Sequence, residues 1–236
     1  METDVLEAIR GELEGNADEK TRESASRFFR EEVKFHGVKS SVVRKIATKY
    51  FQEIKAKEKD EIFSLCERLL ESGYGEEAAV AFEWSGSLAK SYEPADFQVF
   101  ERWIGDYVDN WAKCDILCNH TLGSFIEKYP EYRGHLKEWA RSPNRWFRRA
   151  SAVTLILPAR KGMFLEDVLQ ISDLLLKDED DLVQKGYGWM LKEASKRHQE
   201  EVYEYIMKRK AEMPRTALRY ALEKMPEDLR KKAMER

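Results

Sequence analysis

Apolar residues recur along the whole chain at the three-to-four-residue spacing of amphipathic helices, and no run alternates with the two-residue period of a strand. Val5, Leu6 and Ile9 begin a first helix. Ala25, Phe28, Phe29 and Val33 predict the apolar face of a second, ending near Gly37, and Ser40 is the expected N-cap of a third over 42–54. The same period predicts helices over 60–72, 76–90, 95–109, 111–128, 131–141, 144–157, 165–176, 180–197, 199–212, 215–224 and 227–234. Gly73 and Gly75, then Pro94, Pro130, Pro143, Pro158, Pro214 and Pro226 supply the punctuation between them. No Asn-Gly or Asp-Gly hairpin signal is present. An all-α chain follows, and the short linkers predict one domain over 1–236.

The predicted helices fall into pairs whose second members share a register. The triplets ending at Lys45, Ala81, Asp115, Arg149, Lys185 and Arg219 step by 36, 34, 34, 36 and 34 positions. A period of that size built from two antiparallel helices predicts an α-solenoid of about six HEAT-like pairs, each burying its apolar face against its neighbours. Equivalent positions project from one side, so these six residues should form a ladder on a concave face. Four of them are basic, and Arg145 and Arg215, one turn earlier in their repeats, widen the stripe. Such a surface suits a nucleic-acid backbone, where each neutralised phosphate releases a counterion. The competing reading is an ordinary solvated charged face.

Composition adjusts this picture in three ways. The 236 residues are 42% hydrophobic, enough for a sizeable core. The chain is 36% charged, but the net charge is only -3, so affinity for nucleic acid has to come from local clustering, as in Arg141, Arg145, Arg148, Arg149 and Lys161. Cys66, Cys114 and Cys118 are odd in number and lack a disulfide-framework spacing, which predicts small buried hydrophobes in a reducing cytoplasm. His120 follows Cys118 by two helical positions and so points elsewhere, and no metal site or cofactor is expected. The acidic start Met1-Glu2-Thr3-Asp4 does not read as a signal peptide, and the apolar run near Val153 to Leu157 is too short for a bilayer. The expectation is a soluble cytoplasmic protein, associated with the nucleoid when on DNA, with no membrane partner and monomeric as solenoids of this size commonly are.

Candidate chemistry centres on Trp111-Ala112-Lys113-Cys114-Asp115, which puts an indole and a carboxylate at i and i+4 on one helical face. An acid on a basic ladder repels phosphates, so Asp115 should be there for catalysis. Arg149 lies one repeat later, where it could hold a phosphate or hold Asp115 in place. Trp189 stands one turn after Lys185. Two indoles and a carboxylate suit a cation, through the ring quadrupole and direct charge. The matching cation is the oxocarbenium-like sugar formed when a glycosidic bond breaks. An N-alkylated purine is a charged leaving group and needs no strong acid. Trp84, Trp103, Trp139 and Trp146 are read as core.

At Trp111-Ala112-Lys113-Cys114-Asp115, Asn144-Arg145-Trp146-Phe147-Arg148-Arg149-Ala150 and Gln184-Lys185-Gly186-Tyr187-Gly188-Trp189 the chain resembles the AlkD-type DNA glycosylases, HEAT-like-repeat alkylpurine repair enzymes. The resemblance extends from about Phe28 to Met225. It implies Asp115 as the catalytic carboxylate, Trp111 and Trp189 as aromatic walls against the lesion's sugar, and Arg149 as a phosphate contact. It further implies removal of cationic N3- and N7-alkylpurines from duplex DNA, with the lesion left in the stack and no metal or organic cofactor. Lys45, Lys113, Arg145, Arg148, Lys185, Arg215 and Arg219 complete the expected DNA-binding set. Phe28 and Lys39 depart from the Tyr and Gln of the best-described members. Two alternatives stand beside the glycosylase: a non-catalytic HEAT-like protein that binds distorted or branched DNA without base release, and a protein-interaction scaffold.

Overall fold

The computed structural model describes residues 2–235; Met1, where the acidic N-terminus begins, lies outside them. Among the described residues there is no strand, and an isolated parallel bridge joins Lys34 to Tyr74. No helix among the described residues is long and apolar enough to cross a membrane. The chain divides into two compact units, residues 1–121 and 122–236.

The first unit contains α1 (Glu2–Gly15), α2 (Glu19–Ser26), α3 (Ser40–Ile54), α4 (Lys59–Leu70), α5 (Gly75–Ser87), α6 (Asp96–Tyr107) and α7 (Trp111–Ile116). Helix α3 lies on α1 and α5, and α5 lies on α4 and α7. The second members of the predicted pairs therefore stack in succession. Buried Trp84 fixes one of these contacts, its indole N–H donating to the Ala47 carbonyl at 2.8 Å. Phe63, Phe100 and Trp103 meet one another edge-on or tilted, the arrangement that ring quadrupoles favour. Cys66 is fully buried in this core, and burial pushes its thiol pKa up, as befits a packing residue.

The second unit contains α8 (Gly123–Lys128), α9 (Arg133–Trp139), α10 (Arg145–Val153), α11 (Ile156–Arg160), α12 (Leu165–Leu174), α13 (Asp181–Ala194), α14 (Gln199–Arg209), α15 (Arg215–Leu222) and α16 (Glu227–Met234). Helix α13 is its spine and contacts α10, α11, α12, α14 and α15. The ladder helices α10, α13 and α15 stack in succession here as well. Gly188 permits the closest approach: a β-carbon there would stand 2.7 Å from both the Ala217 carbonyl oxygen and the Tyr220 β-carbon.

Four local expectations are corrected. Helix α2 stops at Ser26, so Phe28, Phe29 and Val33 are not its apolar face, and Phe28 is 73% exposed. The cause is remote in sequence: Gly37 adopts φ +94, and the Glu76 carboxylate accepts the backbone N–H groups of His36, Gly37 and Val38 at 3.0, 2.9 and 3.0 Å. These bonds satisfy an irregular backbone that a helix would otherwise have to satisfy internally. Ser40 is the first helical residue, and the cap position belongs to Lys39, which makes no side-chain cap bond. Pro158 does not end a helix. The chain breaks after Val153 and restarts at Ile156, placing Pro158 in the first turn of α11, where its missing N–H costs nothing. The stretch predicted as one helix over 111–128 contains a π-helical turn, Leu117–Leu122, between α7 and α8.

Two stability outcomes follow. Gly188→Ala should force α13 from α15 and cost about 1–3 kcal/mol, read as a lowered melting temperature. Glu76→Ala strands three N–H donors and should cost about 3 kcal/mol in denaturant unfolding, with Glu76→Gln losing less because one acceptor oxygen remains.

Candidate functional site

Helix α7 begins where the chemistry begins. Asn110, 2% exposed, caps it by accepting the N–H groups of Ala112 and Lys113 at 3.0 and 3.1 Å. That cap sets Trp111 at the first helical position and Asp115 one turn on, both half-buried. Trp111 is braced from one side by Phe29, whose ring stacks on it with centroids 5.2 Å apart and planes 15° apart. On the inner side of the helix, Cys114 and Cys118 are fully buried with their sulfurs 4.0 Å apart. Among the described residues, no three His, Cys, Asp or Glu side chains gather as a metal site.

Trp111 lines a cleft of about 720 Å³ that lies wholly within the first unit. Its aromatic floor is Phe28, Phe29, Phe35 and Trp111, and its rim carries Lys20, Lys39, Arg44 and His120. The floor exists because the start of α5 holds the 34–38 segment: the Gly75 N–H donates to the Lys34 carbonyl at 2.9 Å, and Glu76 takes the three N–H groups already described. His36 stacks on Tyr74 at 4.0 Å and approaches Glu77 Oε1 at 3.3 Å. Phe28 and Lys39 therefore border the same cleft as Trp111.

In the second unit, caps again position the candidates. Asn144 accepts the Trp146 N–H at 2.9 Å to start α10, and Asp180 accepts the Leu182 and Val183 N–H groups at 2.9 and 3.4 Å to start α13. Arg149 is 5% exposed, and its guanidinium donates to the Leu182 carbonyl, tying α10 to the first turn of α13. Such a side chain is an internal brace rather than a displayed phosphate contact. Trp189, two turns into α13, is half-buried. Trp84, Trp103, Trp139 and Trp146 are all buried, as their reading as core requires.

The expected DNA-binding residues divide by their partners. Lys45 and Arg219 are exposed, as is Arg215, which donates to the Met234 carbonyl at 3.3 Å. Arg145 pairs with Asp180 at 2.7 Å, Arg148 with Asp178 at 2.6 Å, and Lys185 with Asp181 at 3.1 Å. Lys113 is corrected: it is 4% exposed, and its ammonium donates to Asp109 at 2.7 Å and to the Gly73 carbonyl at 3.2 Å. It anchors α7 to the preceding loop and does not face a phosphate. Phe29, Phe35 and His120 were missed in the sequence. The Asn-Trp pair at 110–111 was a readable cap signal, whereas nothing local announced the Phe29 stack or the π turn.

Comparison with known proteins bears on this arrangement. A family model described as DNA alkylation repair enzyme matches residues 9–225. A solved structure described as a predicted DNA alkylation repair enzyme from Enterococcus faecalis superposes with a TM-score of 0.80 at 16% identity, covering 90% of this chain and 98% of that one. At that identity the superposition speaks for the fold. No curated protein sequence matches the chain. The family match spans nearly the whole sequence and both compact units, and the chain accordingly belongs to the DNA alkylation repair enzyme family.

Proposed function

We propose that the protein is a monofunctional DNA glycosylase that hydrolyses the N-glycosidic bond of cationic N3- and N7-alkylpurines in duplex DNA and leaves an abasic site. The supporting observation is the partition of the six tryptophans. Four are buried, whereas Trp111 and Trp189 keep part of their surface in solvent, and Asp115 shares a helical face with the first of them. An indole that is not needed for the core and stands one turn from a half-exposed carboxylate suits a developing cation.

In this mechanism the alkylated base is already a good leaving group. As the bond to it lengthens, positive charge grows on the deoxyribose, and the Asp115 carboxylate stabilises that charge and orients the attacking water. Trp111 presents its face to that sugar, and the interaction strengthens as the charge develops, which is the condition for catalysis rather than mere binding; Trp189 is the second indole assigned to catalysis in this reading. Arg149, held on Leu182, acts through α13 by fixing the helix that carries Trp189. Lys45, Arg215 and Arg219, with Arg145, Arg148 and Lys185, contact backbone phosphates, and the lesion stays stacked. No metal or organic cofactor takes part. The proposed setting is the cytoplasm, with a single copy of the chain acting on the nucleoid.

Release of N7-methylguanine and N3-methyladenine from alkylated duplex tests the reading. Asp115→Asn should slow release by about 10²–10³-fold with little change in DNA affinity. Unchanged activity in that variant removes the mechanism. Trp111→Ala should lower the release rate about tenfold, more than it weakens binding, because the ring's contribution rises toward the transition state. Tight binding with no base release in the wild-type protein would instead establish the non-catalytic reading.

A further inference from the structure

Two large hydrophobic side chains stand exposed among the described residues, Phe28 in the cleft and Tyr220 on α15. Tyr220 is 37% exposed, and the glycosylase mechanism does not use it. Its place follows from a glycine. With no side chain at 188, α15 approaches α13 so closely that a β-carbon there would meet the Tyr220 β-carbon at 2.7 Å. The tyrosine thus lies against the turn of α13 that carries Trp189. From there its ring reaches Lys192, whose ammonium is 6.0 Å from the ring centroid. Lys192 is three residues past Trp189 within α13, so their side chains are neighbours on one helical face.

The hydrogen-bonding capacity of this cluster is only partly used. Lys192 Nζ donates to Glu223 Oε2 at 2.9 Å, and its remaining N–H groups have no partner among the described residues. Nor does the Tyr220 hydroxyl have one among them. Glu223 is exposed, so nothing packs its carboxylate in place. Lys192 holds that carboxyl below its usual pKa range, which keeps the acid ionised and on the ammonium. Lys224 lies 3.6 Å from the other carboxylate oxygen. A phenol and an ammonium with donors to spare, converging at the surface beside an indole, suit the oxygens of a backbone phosphate.

We propose that Tyr220 and Lys192 form a phosphate subsite beside Trp189, taking the backbone phosphate next to the damaged nucleotide, with Glu223 occupying the ammonium until DNA displaces it. The inference rests on the reading of Trp189 as an indole of the glycosylase site, since groups one helical turn from such an indole meet the neighbouring sugar-phosphate backbone. The phenol donates to one phosphate oxygen and the ammonium to another. The displaced carboxylate takes up a cation from solution while the phosphate gives one up. In the wild type this contact therefore adds little to the salt dependence of binding.

The test is equilibrium binding of the full chain to a duplex carrying a tetrahydrofuran abasic analogue, measured across salt. Tyr220→Phe removes one neutral donor and should weaken binding about tenfold with no change in the slope of log affinity against log salt. Glu223→Gln should tighten binding about two- to fivefold and steepen that slope by about 0.9, because the counterion leaving the phosphate is no longer offset. Adding Lys192→Gln to Glu223→Gln should abolish the steepening, whereas adding Lys224→Gln should preserve it. A Glu223→Gln protein with the wild-type slope overturns the proposal. So does a steeper slope that survives Lys192→Gln, or a Tyr220→Phe protein that binds as tightly as wild type. Base release from alkylated duplex, scored on the same preparations, keeps the two readings apart. The expected slopes without release by the wild type would sink the glycosylase and leave the subsite, and release with unmoved slopes would do the reverse.

Discussion

The first unit's site depends on a few polar contacts at the N-terminus of α5. The 34–38 stretch is irregular, and the N–H groups of His36, Gly37 and Val38 take their acceptor from a side chain of α5. Glu76 supplies three of those bonds, Gly75 reaches back to Lys34, and Glu77 bridges Arg10 at 3.0 Å and His36 at 3.3 Å. Carboxylates are at home in the first turn of a helix, where the backbone amides present partial positive charge. The same carboxylates thus complement α5 and hold the strand-like stretch that carries Phe35 and leads back to Phe29. Without that clamp Trp111 would lose the ring it stacks on, and the aromatic floor of the cleft would have no reason to persist.

A second constraint concerns charge. Counting Lys and Arg along these helices suggests a strongly cationic stripe, yet several of those cations are answered internally by an acid one helical turn away or at the start of the next repeat's inner helix. Lys113 has Asp109, Lys185 has Asp181, Arg145 has Asp180 and Arg148 has Asp178. Asp180 is at once the cap of α13 and the partner of Arg145, so the acid that starts the helix also fixes the rotamer of an arginine on α10. Ion pairs of this partly exposed kind contribute little net stability, but they order long side chains and reduce the charge offered to a phosphate. Lys45, Arg215 and Arg219 are the ladder-related cations left exposed at the surface.

Helix periodicity and the 34–36-residue step were legible because each helix buries a face against its neighbours in the same unit, and burial writes its period into the sequence. The core tryptophans were legible for the same reason. The aromatic stretch at Phe28, Phe29 and Phe35 was not. Its spacing mimics a helical face, and the residue that overrules it, Glu76, lies some forty positions away in a run that reads only as an acidic first turn. The π turn was illegible too, since no residue type marks an added position. Arg149 was identified as important, but its burial was hidden because a guanidinium that serves a backbone carbonyl looks, in one dimension, like one waiting for a phosphate.

The unequal burial of the indoles also makes the molecule report on itself. Four rings sealed in the interior will emit at short wavelength and remain indifferent to whatever arrives at the surface, forming a constant background. The ring braced against Phe29 and its counterpart on α13 sit partly in solvent, so a polyanion settling over either would change its surroundings and therefore the colour and intensity of its light. The protein carries a built-in optical probe at the two positions where its chemistry is proposed to occur.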